Sequence, residues 1–504
     1  MTRELLETWK RGRAKLGGDG RITLSFGSTM PPLQKLRGAY HWIAEHAVVT
    51  RVLDLEIGEP EAMAGGVLSL GRAYSSFVLM PLMTLATNQR LLIVGAPGRG
   101  KTSIAILMGL LAGIPLDEVR RGVQRGHPQL TIPDLLGSPL PAQLVRAEDS
   151  ADIRVVWRKW LTSRVKVVDE YNRIPTKTQS ALLSLLAEGY AEQFEQVVQA
   201  GVSSWFLTAN DDLGGGTYPV IEALKDRIDA VTRAAAYDAR ALEVLLERVA
   251  TAERAQDFIP TDLVFLEGEL EALSEEIRAI PVPAAVLGLL GFLGPELEFC
   301  RQASDRLESM TKDGLHLAGR RVADVCTEDC PLDKRRHLCA QTESGISTRS
   351  MQALILYSKA LAAFLGHGEV TLASVLAVAP YVFHDKLVPN AGSAYFEDPA
   401  RKSLLIDRLS WIREVMQLAA DQYGRHRKLE SMVSAARAPI EERLGGMGAT
   451  ELKRHMVELK RVIQRLLTQE ELGAAVREDV LKLRSTYERG RARLEQLEPP
   501  RVSR

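Results

Sequence analysis

Four cysteines in 504 residues are too few for a disulfide scaffold, and aromatic residues make up only 6%. Charge of one sign is not in excess. Lys and Arg total 64, Asp and Glu total 64, and the formal net charge is zero, so composition makes no case for a polyanion-binding protein. Long hydrophobic runs are missing too. The apolar stretch from Val282 to Leu293 is too short to span a bilayer and is interrupted by Pro283 and Gly288, so no membrane insertion is expected. Met1–Lys10 is charged and no apolar core follows it, which does not resemble a signal peptide. The default expectation is a cytoplasmic location. What remains is an ordinary globular composition, 46% hydrophobic and 25% charged, with length enough for two to four domains.

The most informative stretch runs from Leu91 to Met108. Leu91-Leu92-Ile93-Val94 reads as a buried strand, and Ser103–Met108 as a helix. Between them lies the phosphate-binding loop pattern: Gly95, Ala96, Pro97, Gly98, Arg99, Gly100, Lys101, Thr102, with Ser103 following. Glycines let backbone N–H groups turn inward around a phosphate, and the next helix points its positive end at the same anion. Lys101 is placed to reach the β- and γ-phosphates of ATP, and the Thr102 hydroxyl to join an Mg²⁺ shell.

The second chemical stretch is Val165-Lys166-Val167-Val168-Asp169-Glu170, a strand with two carboxylates at its C-terminal end. Ligands bind at that end of parallel strands. Asp169 is placed to support Mg²⁺ and Glu170 to polarise an attacking water. Ser204–Asn210 reads as another strand, with Asn210 placed to bond the water or the γ-phosphate. Gly189–Val202 has the alternation of a hairpin, Leu130–Ile132 of a short strand, and Gly65–Thr87 the apolar spacing of a helix. Repeated strand–helix units over residues 90–235 predict a parallel α/β sheet, and helices dominate from Tyr237 to Tyr381. Arg349 falls in the first turn of one of those helices. A cation is out of place at that end unless an anion is near.

In order, these motifs resemble AAA+ ATPases, and within them the MoxR group. The resemblance rests on the phosphate loop, Asp169-Glu170-Tyr171-Asn172-Arg173, Thr178–Leu183, Thr208-Ala209-Asn210, Gly216–Pro219, and Glu222-Ala223 with Asp226-Arg227. It covers roughly residues 60–390. It implies an α/β AAA+ core of parallel sheet flanked by helices, followed by an all-α lid and a helical C-terminal extension. The expected divisions are a helical lead-in (1–60), the ATPase core (61–240), a lid (241–395) and the extension (396–504). It further implies that Arg227 is an arginine finger donated across a subunit interface and that Arg349 is the sensor-2 arginine of the lid. A hexameric homo-oligomer, a chaperone-like remodelling role and a partner with a von Willebrand factor A domain follow as family expectations. The rival expectations are a nucleotide-gated scaffold of low turnover and a motor on nucleic acid. Neutral charge weakens the motor reading, so nucleic acid is not the expected partner.

Two features depart from that pattern. The chain continues for about 100 residues beyond 395, with Leu452, Met456, Leu459, Ile463 and Leu466 in a heptad seam and 22 basic against 15 acidic residues from Arg401 on. Cys326, Cys330 and Cys339 cluster in a polar stretch, with Cys300 ahead of them. Four thiolates suit a Zn²⁺ ion or an iron–sulfur cluster, although the spacing matches no standard zinc finger and equally fits unrelated thiols.

Overall fold

The computed structural model of the chain describes residues 30–48, 52–58, 61–63, 66–68, 71–140, 153–210, 220–234, 243, 246, 259–326, 330–332, 335, 337–468 and 473–498. The chain forms two compact units. One is Met1–Pro283 with Thr348–Asp385, the other Ala284–Ser347 with Lys386–Arg504. Among the described residues no single helix is long and apolar enough to cross a membrane.

The first unit is built on five parallel strands: β1 (Arg90–Val94), β2 (Gln124–Arg125), β3 (Val165–Asp169), β4 (Ser204–Ala209) and β5 (Ala230–Arg233), in the order β5-β1-β4-β3-β2. A parallel sheet is covered on both faces, so its strands read as continuous apolar runs without alternation. β4 follows this rule, with all six residues buried. Register sets the site. Phe206 pairs with Leu91 on one side and Val167 on the other, so β1, β3 and β4 end at nearly the same level. β1 lies between β4 and β5, where the strand order reverses, and ligands bind at such crevices.

Helix α1 (Pro32–Trp42) follows Pro31 and α2 (Ser76–Thr87) is buried along its whole length. The region 65–87 is therefore not one helix: Gly66–Leu68 and Arg72–Tyr74 are strands that pair locally. The strand expected at Leu130–Ile132 is also absent. Thr131 instead caps the helix Ile132–Leu136, exchanging hydrogen bonds with Asp134 in a capping box, and the edge strand lies earlier, at β2. The hairpin expected within 189–202 forms from Tyr190–Gln193 and Gln196–Gln199. Helices α3 (Lys101–Leu111), α4 (Thr176–Glu188) and α5 (Glu222–Asp226) follow β1, β3 and β4, and α6 (Glu269–Ala279) follows β5. In this unit α8 (Thr348–Leu365) and α9 (Leu372–Phe383) pair with each other, and Tyr357 of α8 hydrogen-bonds Thr84 of α2 at 2.7 Å.

Lys166 is fully buried in β3. Its ammonium donates to the Ser163 and Ala200 carbonyls at 2.7 and 3.0 Å. Burial lowers its pKa from 10.5 to about 8. Between those values the unfolded chain binds the extra proton, so this group makes stability rise with pH there. Lys166→Met is expected to gain on the wild type most at pH 7 and least near pH 10, a change of about 1–3 kcal/mol. Denaturant melts at several pH values measure it, and a gap independent of pH would contradict it.

The second unit contains α7 (Ala284–Glu298) and three long helices, α10 (Arg408–Arg443), α11 (Ala449–Leu467) and α12 (Ala474–Leu497). The seam of α11 buries Leu452, Met456, Leu459, Val462 and Leu466 against Val476, Val480 and Leu483 of α12 and Val433 and Ile440 of α10. Val462 takes the central place expected of Ile463, which lies half-buried beside it, since a straight helix drifts from a strict heptad. Gly490 sits where a Cβ would come within 3.5 Å of Met456, Ile440 and Leu452, so the three helices close tightly there.

Candidate active site

The loop between β1 and α3 needs glycine for its path. Gly95, Gly98 and Gly100 all have positive φ (149°, 76° and 75°), and a Cβ on Gly95 would meet the Ala234 Cβ at 2.9 Å. Pro97, Gly98 and Gly100 form the exposed crest, with Ala96 and Arg99 half-buried and Ser103 exposed just inside α3. Lys101, at the first position of α3, is only 6% exposed. Its ammonium donates to the Gly95 and Ala96 carbonyls at 2.6 and 2.9 Å and to Asn210 Oδ1 at 2.8 Å.

Asn210 follows β4 and passes the contact on, its Nδ2 donating to Glu170 Oε1 at 2.7 Å. Arg173 Nη1 lies 3.3 Å from the other oxygen, Oε2. Glu170 itself is left-handed (φ 54°), a conformation costing a non-glycine residue about 1 kcal/mol or more, and it caps the turn Tyr171–Arg173. Its backbone N–H donates to Thr208 Oγ1 at 2.9 Å, and Thr208 Oγ1 donates to Asp169 Oδ1 at 2.6 Å. Thr102 Oγ1 donates to the same Asp169 oxygen at 2.7 Å. From the far edge, Gly126 N–H donates to the Asp169 carbonyl at 2.7 Å, and a Cβ on Gly126 would fall 2.1 Å from the Glu170 carbonyl oxygen.

One hydrogen-bonded network thus joins Lys101, Thr102, Asp169, Glu170 and Asn210, five residues expected from sequence. The Thr102 hydroxyl and Asp169 carboxylate, side by side, are the hard oxygen donors that Mg²⁺ takes from a protein while phosphates and water complete its shell, so the donor set fits the ion. Arg227 and Arg349 make no hydrogen bond to this network. Arg227 is the C-cap of α5, with Nη1 3.4 Å from the Ala223 carbonyl and no partner for its buried Nε among the described residues. Arg349 lies in the first turn of α8, as the spacing predicts, and its Nη1 is 2.5 Å from Asp226 Oδ2. The Gly216–Pro219 loop lies outside the described residues.

Sequence reasoning quotes Arg173, Thr208 and Asp226 within its motifs but assigns them no part in the site, and passes over Gly126. Thr208 carries one signal, a hydroxyl near the C-terminal end of a largely apolar strand, two residues ahead of Asn210. Gly126 carries none, because its need for glycine arises from a contact across the sheet.

The spacing of Cys300, Cys326, Cys330 and Cys339 is compatible with a metal centre and with unrelated thiols alike. Among the described residues no three His, Cys, Asp or Glu side chains are grouped so as to hold a metal ion. None of the four cysteines is in a disulfide. Cys339 and Cys330 pack with Phe299, Met310 and Leu332, whereas Cys300 and Cys326 pack with Leu315, Val322 and Val325. Burial raises the Cys300 and Cys339 thiols above their ordinary range.

Residues 334–403 match the family model of the AAA lid domain. No curated protein matches the chain. Among solved structures, a candidate ATPase from Cytophaga hutchinsonii is similar at 17% identity and a TM-score of 0.49, over 75% of this chain and 96% of that one.

Proposed function

We propose that this chain is an ATP hydrolase of the AAA+ class, MoxR-like in type, that works as a ring of identical subunits to remodel a partner protein. The observation that carries the reading is the connected set Lys101–Asn210–Glu170 and Thr102–Asp169 at the ends of three adjacent strands. A nucleotide binder needs Lys101, Thr102 and Asp169; the base at Glu170 is needed only for hydrolysis.

The groups act as follows. Lys101 exchanges its loop carbonyls for phosphate oxygens, a stronger charge-assisted contact. Thr102 and Asp169 would hold Mg²⁺, which would supply charge neutralisation for the phosphates. Glu170 frees one carboxylate oxygen to orient a water and take its proton, while Asn210 keeps the other aligned. Arg227, supplied by a neighbouring subunit, offsets charge on the transferring phosphoryl group, and Arg349 couples the same event to the helical segment. A partner carrying a von Willebrand factor A domain is the proposed client or adaptor.

Purified chain is expected to bind ATP and hydrolyse it with Mg²⁺, and Lys101→Ala to weaken ATP binding at least tenfold with the fold intact by circular dichroism. Equal ATP affinity in both proteins would sink the assignment of the site.

A further inference from the structure

Arg349 stands at the positive end of α8, where a cation is electrostatically misplaced without an anion nearby. The structure supplies one: Asp226, the last residue of α5, at 2.5 Å. The next residue in the chain is Arg227. The two arginines assigned to phosphate sensing are therefore tied to one short segment, the first through Asp226 and the second by the peptide bond.

We infer that Asp226 is a positioning residue, an internal carboxylate that stands in for the γ-phosphate at Arg349 and is exchanged for it when ATP binds. The inference rests on the hydrolase reading. Its physical basis is competition. The Arg349 and Asp226 side chains are 42% and 35% exposed, so water screens the pair and it is weak enough to give way. A γ-phosphate offers more negative charge and several oxygens to the planar guanidinium, and wins. ADP has no γ-phosphate and leaves the pair in place. The exchange thus converts the presence of one phosphoryl group into release of α8 from α5, and lets Asp226 set the preference for ATP over ADP.

The test uses the full chain with Asp226→Asn, Arg349→Ala and the double variant, read by fluorescent ATP and ADP analogue binding and by hydrogen exchange at the first turn of α8. Asp226→Asn is expected to tighten ATP binding about fivefold, the size of effect an exposed ion pair carries, and to leave ADP affinity unchanged. The gain should vanish in the Arg349→Ala background, and Asp226→Glu should restore the wild-type ATP-to-ADP ratio. Exchange at the α8 turn in nucleotide-free Asp226→Asn should match that of ATP-bound wild type. Equal shifts for ATP and ADP, or the same gain without Arg349, would overturn the latch. If ATP binding depends on Lys101 yet ignores Asp226, the latch alone fails. If wild type binds no ATP, the hydrolase reading fails and the latch with it.

Discussion

Glu170→Gln is expected to bind ATP with wild-type affinity and to turn it over about 10²–10⁴-fold more slowly, a loss of about 3–5 kcal/mol of transition-state stabilisation. The substitution is almost isosteric. Gln keeps an oxygen for Asn210 Nδ2 and loses only the ability to take a proton. The left-handed turn and the Thr208 contact are backbone features and should persist. The phosphate loop, Thr102 and Asp169 are untouched, so affinity should hold. Single-turnover hydrolysis alongside equilibrium binding separates the two effects. A parallel loss of affinity would mean that Glu170 supports the fold of the site and is not the base. The trapped form also reports the partner. Recovery of a protein with a von Willebrand factor A domain from the native host would support remodelling, and recovery of nucleic acid instead would overturn it.

Arg227→Ala is expected to cost about 10³–10⁵ in turnover, the scale of an arginine finger, again with ATP binding retained. Nothing bonds Arg227 to the network around Lys101, its Nη1 contact with Ala223 is long at 3.4 Å, and its buried Nε has no partner among the described residues. Such a guanidinium has donors to spare for an anion presented from outside. The decisive measurement mixes Arg227→Ala with Glu170→Gln subunits. A finger acting across an interface leaves some sites with both groups intact, so the mixture should be more active than either parent. A mixture no better than its parents would place the finger in its own subunit or remove it from catalysis.

The parts of this molecule legible in the sequence are those whose cause is local. β1, β3 and β4 are short, largely apolar runs; β3 ends in Asp169, β4 runs directly into Asn210, and β1 runs into the phosphate loop. The phosphate loop is legible because its glycines, lysine and threonine are contiguous. Features caused by contacts distant in sequence are not. β2 is a polar two-residue edge with no hydrophobic signal, while Leu130-Thr131-Ile132 carries strand-like residues but is claimed by a helix cap. Arg173 meets Glu170 across a turn that Glu170 opens in a left-handed conformation, a property no pattern announces. The surroundings of the cysteines are another case. Spacing says how far apart thiols are along the chain, and Phe299 and Ala474, which wall one of them in, lie far outside the motif.

The residue with the strictest demand on position is backed by the strand with the fewest ladder pairs. β2 pairs with β3 at two positions, Gln124 with Val168 and Arg125 with Asp169, and Gly126 then rests on the Glu170 carbonyl. Edges with so little pairing open more readily than the sheet they border. Each opening removes the wall behind the catalytic turn. On the hydrolase reading, the fraction of time this edge is closed sets a ceiling on the fraction of molecules poised to react, with no change in any group that would touch ATP.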